Sequence, residues 1–146
     1  GVSRVRFRRC QREGRPGYIA HELAERLEVL REAGTYPAEG FGLDLNGFAN
    51  YPKPRFGDYS PCDEPQTSPV TYPFTSYGGD VIFTEPKIGE RILDFNTEGL
   101  VHLGLLPELI EDLRQGGATD HELEPLFRSA EGYLRMWSRA ETWIEP

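Results

Sequence analysis

Gly40-Phe41-Gly42-Leu43-Asp44-Leu45-Asn46-Gly47-Phe48 is the stretch on which the reading of this chain turns. Residues 41–45 have the apolar character of a short buried strand, which ends at a carboxylate and breaks at Asn46-Gly47. A carboxylate at the end of a strand sits where barrel enzymes place catalytic groups. An aspartate between apolar neighbours on a buried strand is costly unless it is hydrogen-bonded, paired or bound to metal. Asp44 is therefore the leading candidate for chemistry. The competing reading is a carboxylate that caps the turn made by Asn46 and Gly47, and spacing leaves both open.

Outward from that stretch the chain divides into five parts. Residues 1–16 form a basic arm, with Arg4, Arg6, Arg8, Arg9, Arg12 and Arg15 crowded together and an alternating edge strand expected over 2–7. Residues 17–45 carry a helix and then the strand. Ile19, Leu23, Leu27 and Leu30 make one apolar stripe, Gly34 ends the helix, and Glu22 with Arg26 is an expected i,i+4 pair. Residues 46–80 form an irregular insertion punctuated by prolines, with aromatics between them that argue for packing against the body. An edge strand is expected over 70–74, limited by Pro73.

Within residues 81–105, the runs 81–84 and 92–95 flank Pro86-Lys87-Ile88-Gly89, and a β-hairpin between them is the expectation. Residues 106–140 hold two helices. Pro107 sits in the first turn of one, Gly116-Gly117 stops it, and Thr119 with Glu122 forms a capping box for the next. Leu123, Leu126, Phe127, Ala130, Leu134 and Trp137 continue at helical spacing and are expected to face the core.

Composition bounds the function classes. The chain has 146 residues, 38% of them hydrophobic and 12% aromatic, enough for an ordered core. A net charge of −8 repels phosphate backbones, so a nucleic-acid partner is not expected. The arginine-rich arm reads either as a docking element for an acidic surface or as a solvated edge. No apolar run approaches the length that spans a bilayer, so no membrane partner is expected. Cys10 and Cys62 are too few for a disulfide scaffold or a structural zinc site, and pairing or two inert thiols both remain open. The chain opens with Gly1 rather than Met, which reads as processing or as a piece of a longer protein.

Two further groups are candidates. Asp94, Asn96 and Glu98 alternate before Gly99 in a pattern that hints at a calcium loop, but no terminal glutamate ligand completes it. A turn made by side-chain-to-backbone hydrogen bonds is the alternative. His102, inside an apolar and glycine-flanked run, either points into a site or packs as a satisfied histidine. His21 and His121 read as solvated. No His-x-His, His-Glu-x-x-His, Cys-x-x-Cys, Gly-x-Ser-x-Gly or phosphate-cradling glycine motif occurs.

The Asp44 stretch resembles the Gly-x-Gly-[Ser/Thr]-Asp-Phe-[Asp/Asn]-Gly signature of membrane-dipeptidase-like metallohydrolases, members of the amidohydrolase superfamily. Phe95-Asn96-Thr97-Glu98-Gly99-Leu100-Val101-His102-Leu103-Gly104-Leu105-Leu106-Pro107-Glu108 is similar to a later stretch of microbial relatives. Ser129-Ala130-Glu131-Gly132-Tyr133-Leu134-Arg135-Met136-Trp137 is similar to their closing helix. The similarity covers residues 17–139, with leucine at position 43 where the family has Ser or Thr.

This resemblance implies an α/β fold: the C-terminal portion of a (β/α)8 barrel-like hydrolase, with a long insertion and a C-terminal helix pair, incomplete as a lone chain. It implies that Asp44 handles the proton in amide-bond hydrolysis, while Asn46 and His102 line the mouth for a small-molecule substrate. It implies zinc, with the ligands on strands that this chain does not contain, and so a missing N-terminal segment or partner chain. The alternative function is a non-catalytic protein-interaction module; a third is a small autonomous enzyme using Asp44 and His102.

Overall fold

The computed structural model of the protein describes residues 10–11, 18–40 and 52–142. The strands expected over 2–7 and 41–45 lie outside the described residues. Helix α1 runs Tyr18–Glu32, and Gly34, at φ +62°, follows its end. Two hairpins of minimal length come next: β1 (Phe74–Thr75) pairs antiparallel with β2 (Ile82–Phe83), and β3 (Lys87–Ile88) with β4 (Arg91–Ile92). A single turn of helix, α2 (Phe95–Glu98), leads through a 3-10 turn at Leu103–Leu105 into α3 (Leu106–Gln115). Helices α4 (Asp120–Phe127) and α5 (Ser129–Thr142) close the chain. Among the described residues no helix is long and apolar enough to cross a membrane.

Helix α3 separates two apolar clusters. Leu105 and Leu109 join Val70, Leu93, Phe95 and Leu100 toward its N-terminal end, and Leu113 joins Leu23, Ala118 and Leu123 toward its C-terminal end. The i,i+4 spacing of Leu109 and Leu113 keeps them on one stripe, so a single helix serves both. Thr119 caps α4 by accepting from Glu122 N, and the Glu122 carboxylate accepts from Thr119 N in return. The bridge Cys10–Cys62 closes a sequence separation of 52 and resolves the two readings of those cysteines in favour of pairing. In the chain-entropy account, a loop of that size removes about 4 kcal/mol of unfolded-state freedom.

Three expectations are corrected. The hairpin between 81–84 and 92–95 does not form. Ile82–Phe83 turns back onto Phe74–Thr75 instead, because Ser76 Oγ donates to Asp80 Oδ1 at 2.8 Å and Gly79, at φ +77°, tightens the turn. Ile92 pairs with Lys87, across a turn that Gly89 closes at φ +59°. The Arg26 guanidinium pairs with Glu39 rather than Glu22, since the segment after α1 folds back alongside it. The apolar stripe from Leu123 to Trp137 is not one core face. The helix breaks at Arg128, Leu123 is buried, and Phe127, Leu134 and Trp137 are half exposed or more.

Gly99 has φ +74°, and a Cβ there would lie 2.5 Å from Pro52 O and 2.8 Å from Pro54 N, both backbone atoms that cannot swing away. Gly79 has nearly the same φ, +77°, but open space around it. Gly79→Ala is expected to cost only the left-handed penalty, about 1–2 kcal/mol. Gly99→Ala should cost at least about 2 kcal/mol more, because backbone must move as well. Denaturant unfolding of the two variants checks this, and equal losses would contradict the close approach at Gly99.

Candidate functional site

The residues on either side of the 41–51 stretch are each held by a different part of the molecule. On the N-terminal side, Glu39 N donates to Pro125 O at 3.0 Å, at the end of α4. The Arg135 guanidinium of α5 stacks on the Tyr36 ring at 4.1 Å, and Gly132 lies against Ala38, where a Cβ would collide. On the C-terminal side, Leu100 N donates to Pro52 O at 3.0 Å and Phe56 N to Asn96 O at 3.2 Å. Asn96 also holds Val70 reciprocally: its Nδ2 donates to Val70 O and its Oδ1 accepts from Val70 N, both at 2.9 Å.

Arg55 anchors this second side. Its side chain is 1% exposed and that of Asp112 is 3% exposed. Nε donates to Asp112 Oδ1 at 2.8 Å, Nη1 to Thr67 O at 3.1 Å and Nη2 to Ser68 O at 2.9 Å. Every nitrogen of the guanidinium is thus engaged, as a buried charge requires. Ser68 takes φ +56°, unusual for a residue other than glycine, and its carbonyl is one that Arg55 holds.

Asp44 and Asn46 lie outside the described residues. His102 is exposed and caps the 3-10 turn, with Nδ1 accepting from Gly104 N at 2.9 Å. Neutral imidazole that accepts at Nδ1 carries its proton on Nε2, so a donor faces outward. The Asp94–Glu98 stretch is a hydrogen-bonded turn. Asp94 Oδ1 accepts from Asn96 N and Oδ2 from Thr97 Oγ1, while Glu98 Oε2 accepts from Asp94 N. Those carboxylates are occupied by their own segment, as the turn reading describes.

Sequence reasoning missed a buried acid. Glu108 is 2% exposed; its Oε1 accepts from Tyr72 OH at 3.0 Å and its Oε2 has no hydrogen-bond partner among the described residues. Burial pushes the Glu108 carboxyl above its ordinary value, against the opposing pull of its hydrogen bonds from backbone and from Tyr72. Burial, followed by the charge of Glu108, pushes the Tyr72 phenol well above its own. A signal was present: Glu108 and Asp112, four residues apart, border the Leu105-Leu109 stripe, so both reach toward the core.

Two cavities flank α3 away from His102. One of about 260 Å3 is walled by Phe74, Tyr77, Phe83, Ile110 and Phe127. The other, an open cleft of about 490 Å3, is lined by Glu111, Arg114, Gln115 and Asp120. Arg114 is already shared between Glu111 at 3.5 Å and Asp120 at 3.3 Å.

The resemblance places the zinc ligands on strands outside this chain, and among the described residues no group of three or more His, Cys, Asp or Glu could hold a metal ion. His121 lies beside Arg31 and Glu124, in surface pairs. No family model, curated protein or solved structure matches the chain.

Between the ordinary carboxylate value and the raised value of Glu108, the folded chain keeps a proton that the unfolded chain has released. Its contribution is fully present below the ordinary value and is lost as pH rises through the raised one. Glu108→Gln still offers Tyr72 an acceptor but cannot ionise. Its urea midpoint should therefore fall less than that of the wild type as pH rises through this window. Parallel pH dependences for the two proteins would contradict a buried, proton-retaining Glu108.

Proposed function

We propose that this chain is the C-terminal part of a metal-dependent, dipeptidase-like amidohydrolase, and that Asp44 handles the proton in hydrolysis of an amide bond in a small-molecule substrate. One observation supports the reading: two of the stretches that resemble the family hold the described residues that flank 41–51. The 95–108 stretch grips the exit at Pro52 and Phe56, and the closing helix grips the entry at Tyr36 and Ala38.

In this reading the Asp44 carboxylate takes a proton from the attacking water as its oxygen bonds to the amide carbon. The C–N bond then breaks, and the same proton passes to the leaving amine, giving a carboxylic acid and an amine. Asn46 and the Nε2–H donor of His102 would hold the substrate at the mouth. The described strands are two residues long, so the remaining barrel wall and any zinc ligands would come from a preceding segment or a partner chain. One observation favours the second reading, a protein-interaction module: the apolar side chains of α5 are exposed.

The test is amide hydrolysis by the chain co-expressed with a segment supplying the missing strands. Asp44→Asn is expected to lower kcat by about 10²–10⁴-fold, and His102→Ala to raise KM with a smaller effect on kcat. Turnover by Asp44→Asn within about threefold of wild type would remove Asp44 from the chemistry.

A further inference from the structure

We propose that α5 is a self-association surface, on which the helices of two copies pair antiparallel through Ala130, Tyr133, Trp137 and Ala140. This does not rest on the hydrolase reading. Helix α5 lies on its own body by its polar side: Gly132 meets Ala38, and Arg135 stacks on Tyr36. At 100° per residue, Ala130, Tyr133, Trp137 and Ala140 fall on the opposite side, bordered by Leu134 and Met136. No side chain of α5 is buried, and Tyr133, Leu134, Met136 and Trp137 are 58%, 62%, 53% and 52% exposed. The helix therefore shows the solvent the face that would ordinarily be hidden.

The spacing 130, 133, 137, 140 is that of coiled-coil a and d positions. Its pattern is also self-complementary. Reversing the helix about Arg135 brings Ala130 opposite Ala140 and Tyr133 opposite Trp137, while along the two edges of the seam Leu134 meets Leu134 and Met136 meets Met136 of the other copy. Two small layers then enclose two aromatic ones, with each a residue facing a d residue of the other copy. Arg135, at the centre of the reversal, points back at Tyr36, so like charges do not meet on the axis.

The aromatic pair is already organised for contact. The Tyr133 and Trp137 rings lie 6.2 Å apart, and the indole N–H is satisfied by Glu141 at 2.7 Å, leaving its apolar faces to a partner. The exposed seam offers on the order of 400 Å2 per copy, against roughly 800 Å2 for a standard interface. At half the standard size, the pairing is expected to be weak and concentration-dependent.

Sedimentation equilibrium of the full chain over about 1–500 μM is expected to show a monomer–dimer equilibrium. Trp137→Ala should weaken it at least tenfold while leaving far-UV circular dichroism and the melting temperature unchanged, since Trp137 is half exposed in the single copy. Direction is tested with a short bis-maleimide on Ala130→Cys and Ala140→Cys; the native cysteines are paired with each other and do not react. An equal mixture of the two variants should cross-link, whereas either variant alone should not, because like positions would be about 15 Å apart along the axis. A monomer at every concentration, unchanged association in Trp137→Ala, or cross-linking by the single variants as fast as by the mixture would each overturn the proposal.

Discussion

The ion pair between Arg55 and Asp112 is the constraint on which the rest of the described structure depends. Both groups are withdrawn from water, and removing one partner of such a pair leaves an uncompensated charge worth about 3–5 kcal/mol. The pair adds little net stability over a well-packed apolar alternative, so its value lies in what it excludes. Arg55 sits in a proline-punctuated segment that has almost no ladder hydrogen bonds of its own. By reaching Asp112 on α3 and the Thr67 and Ser68 carbonyls together, it leaves that segment one way to lie.

The consequences run in both directions from α3. With 52–56 pinned, Pro52 O is available to Leu100 N and Asn96 can hold Val70, so the apolar cluster around Phe95 and Leu100 closes. The C-terminal half of α3 seats Leu23 of α1 and Leu123 of α4. The fold-back of 35–40 then meets α4 and α5 through Glu39, Ala38 and Tyr36. The described residues on both sides of 41–51 are thus held by other parts of the molecule. Because α5 uses its polar side for that grip, its apolar side is left outward. The grip on 36–39 and the exposure of the aromatic seam are two results of one docking geometry.

Local chemistry was legible in the sequence and long-range pairing was not. The ends of α1 and α3 follow from Gly34, Pro107 and Gly116, and the start of α4 from the Thr119–Glu122 box, because each signal acts within one turn. The hairpins were misread because apolar runs of similar content compete for partners. The winner was set by turn chemistry at Ser76–Asp80 and at Gly89, which periodicity does not weigh. The stripe through α4 and α5 was read as core because its spacing is helical; which face of α5 docks depended on Tyr36 and Ala38, about 95 residues away in sequence. Of the candidate site, His102 was legible as a polar residue in an apolar run. The burial of Glu108 was signalled by its place beside the Leu105-Leu109 stripe, but its pairing with Tyr72 was not, since nothing local announces a phenol donating to a buried carboxyl 36 residues further on.

Native-state hydrogen exchange in Asp112→Asn tests the central role of the clamp most directly. The amides of Phe56, Val70 and Leu100 each depend on Arg55 only through the segments it pins. They should lose protection together in the variant, well before the amides within α3. Protection at these three amides that stays as high as in the wild type, relative to α3, would mean that the Arg55–Asp112 pair does not hold the fold in place.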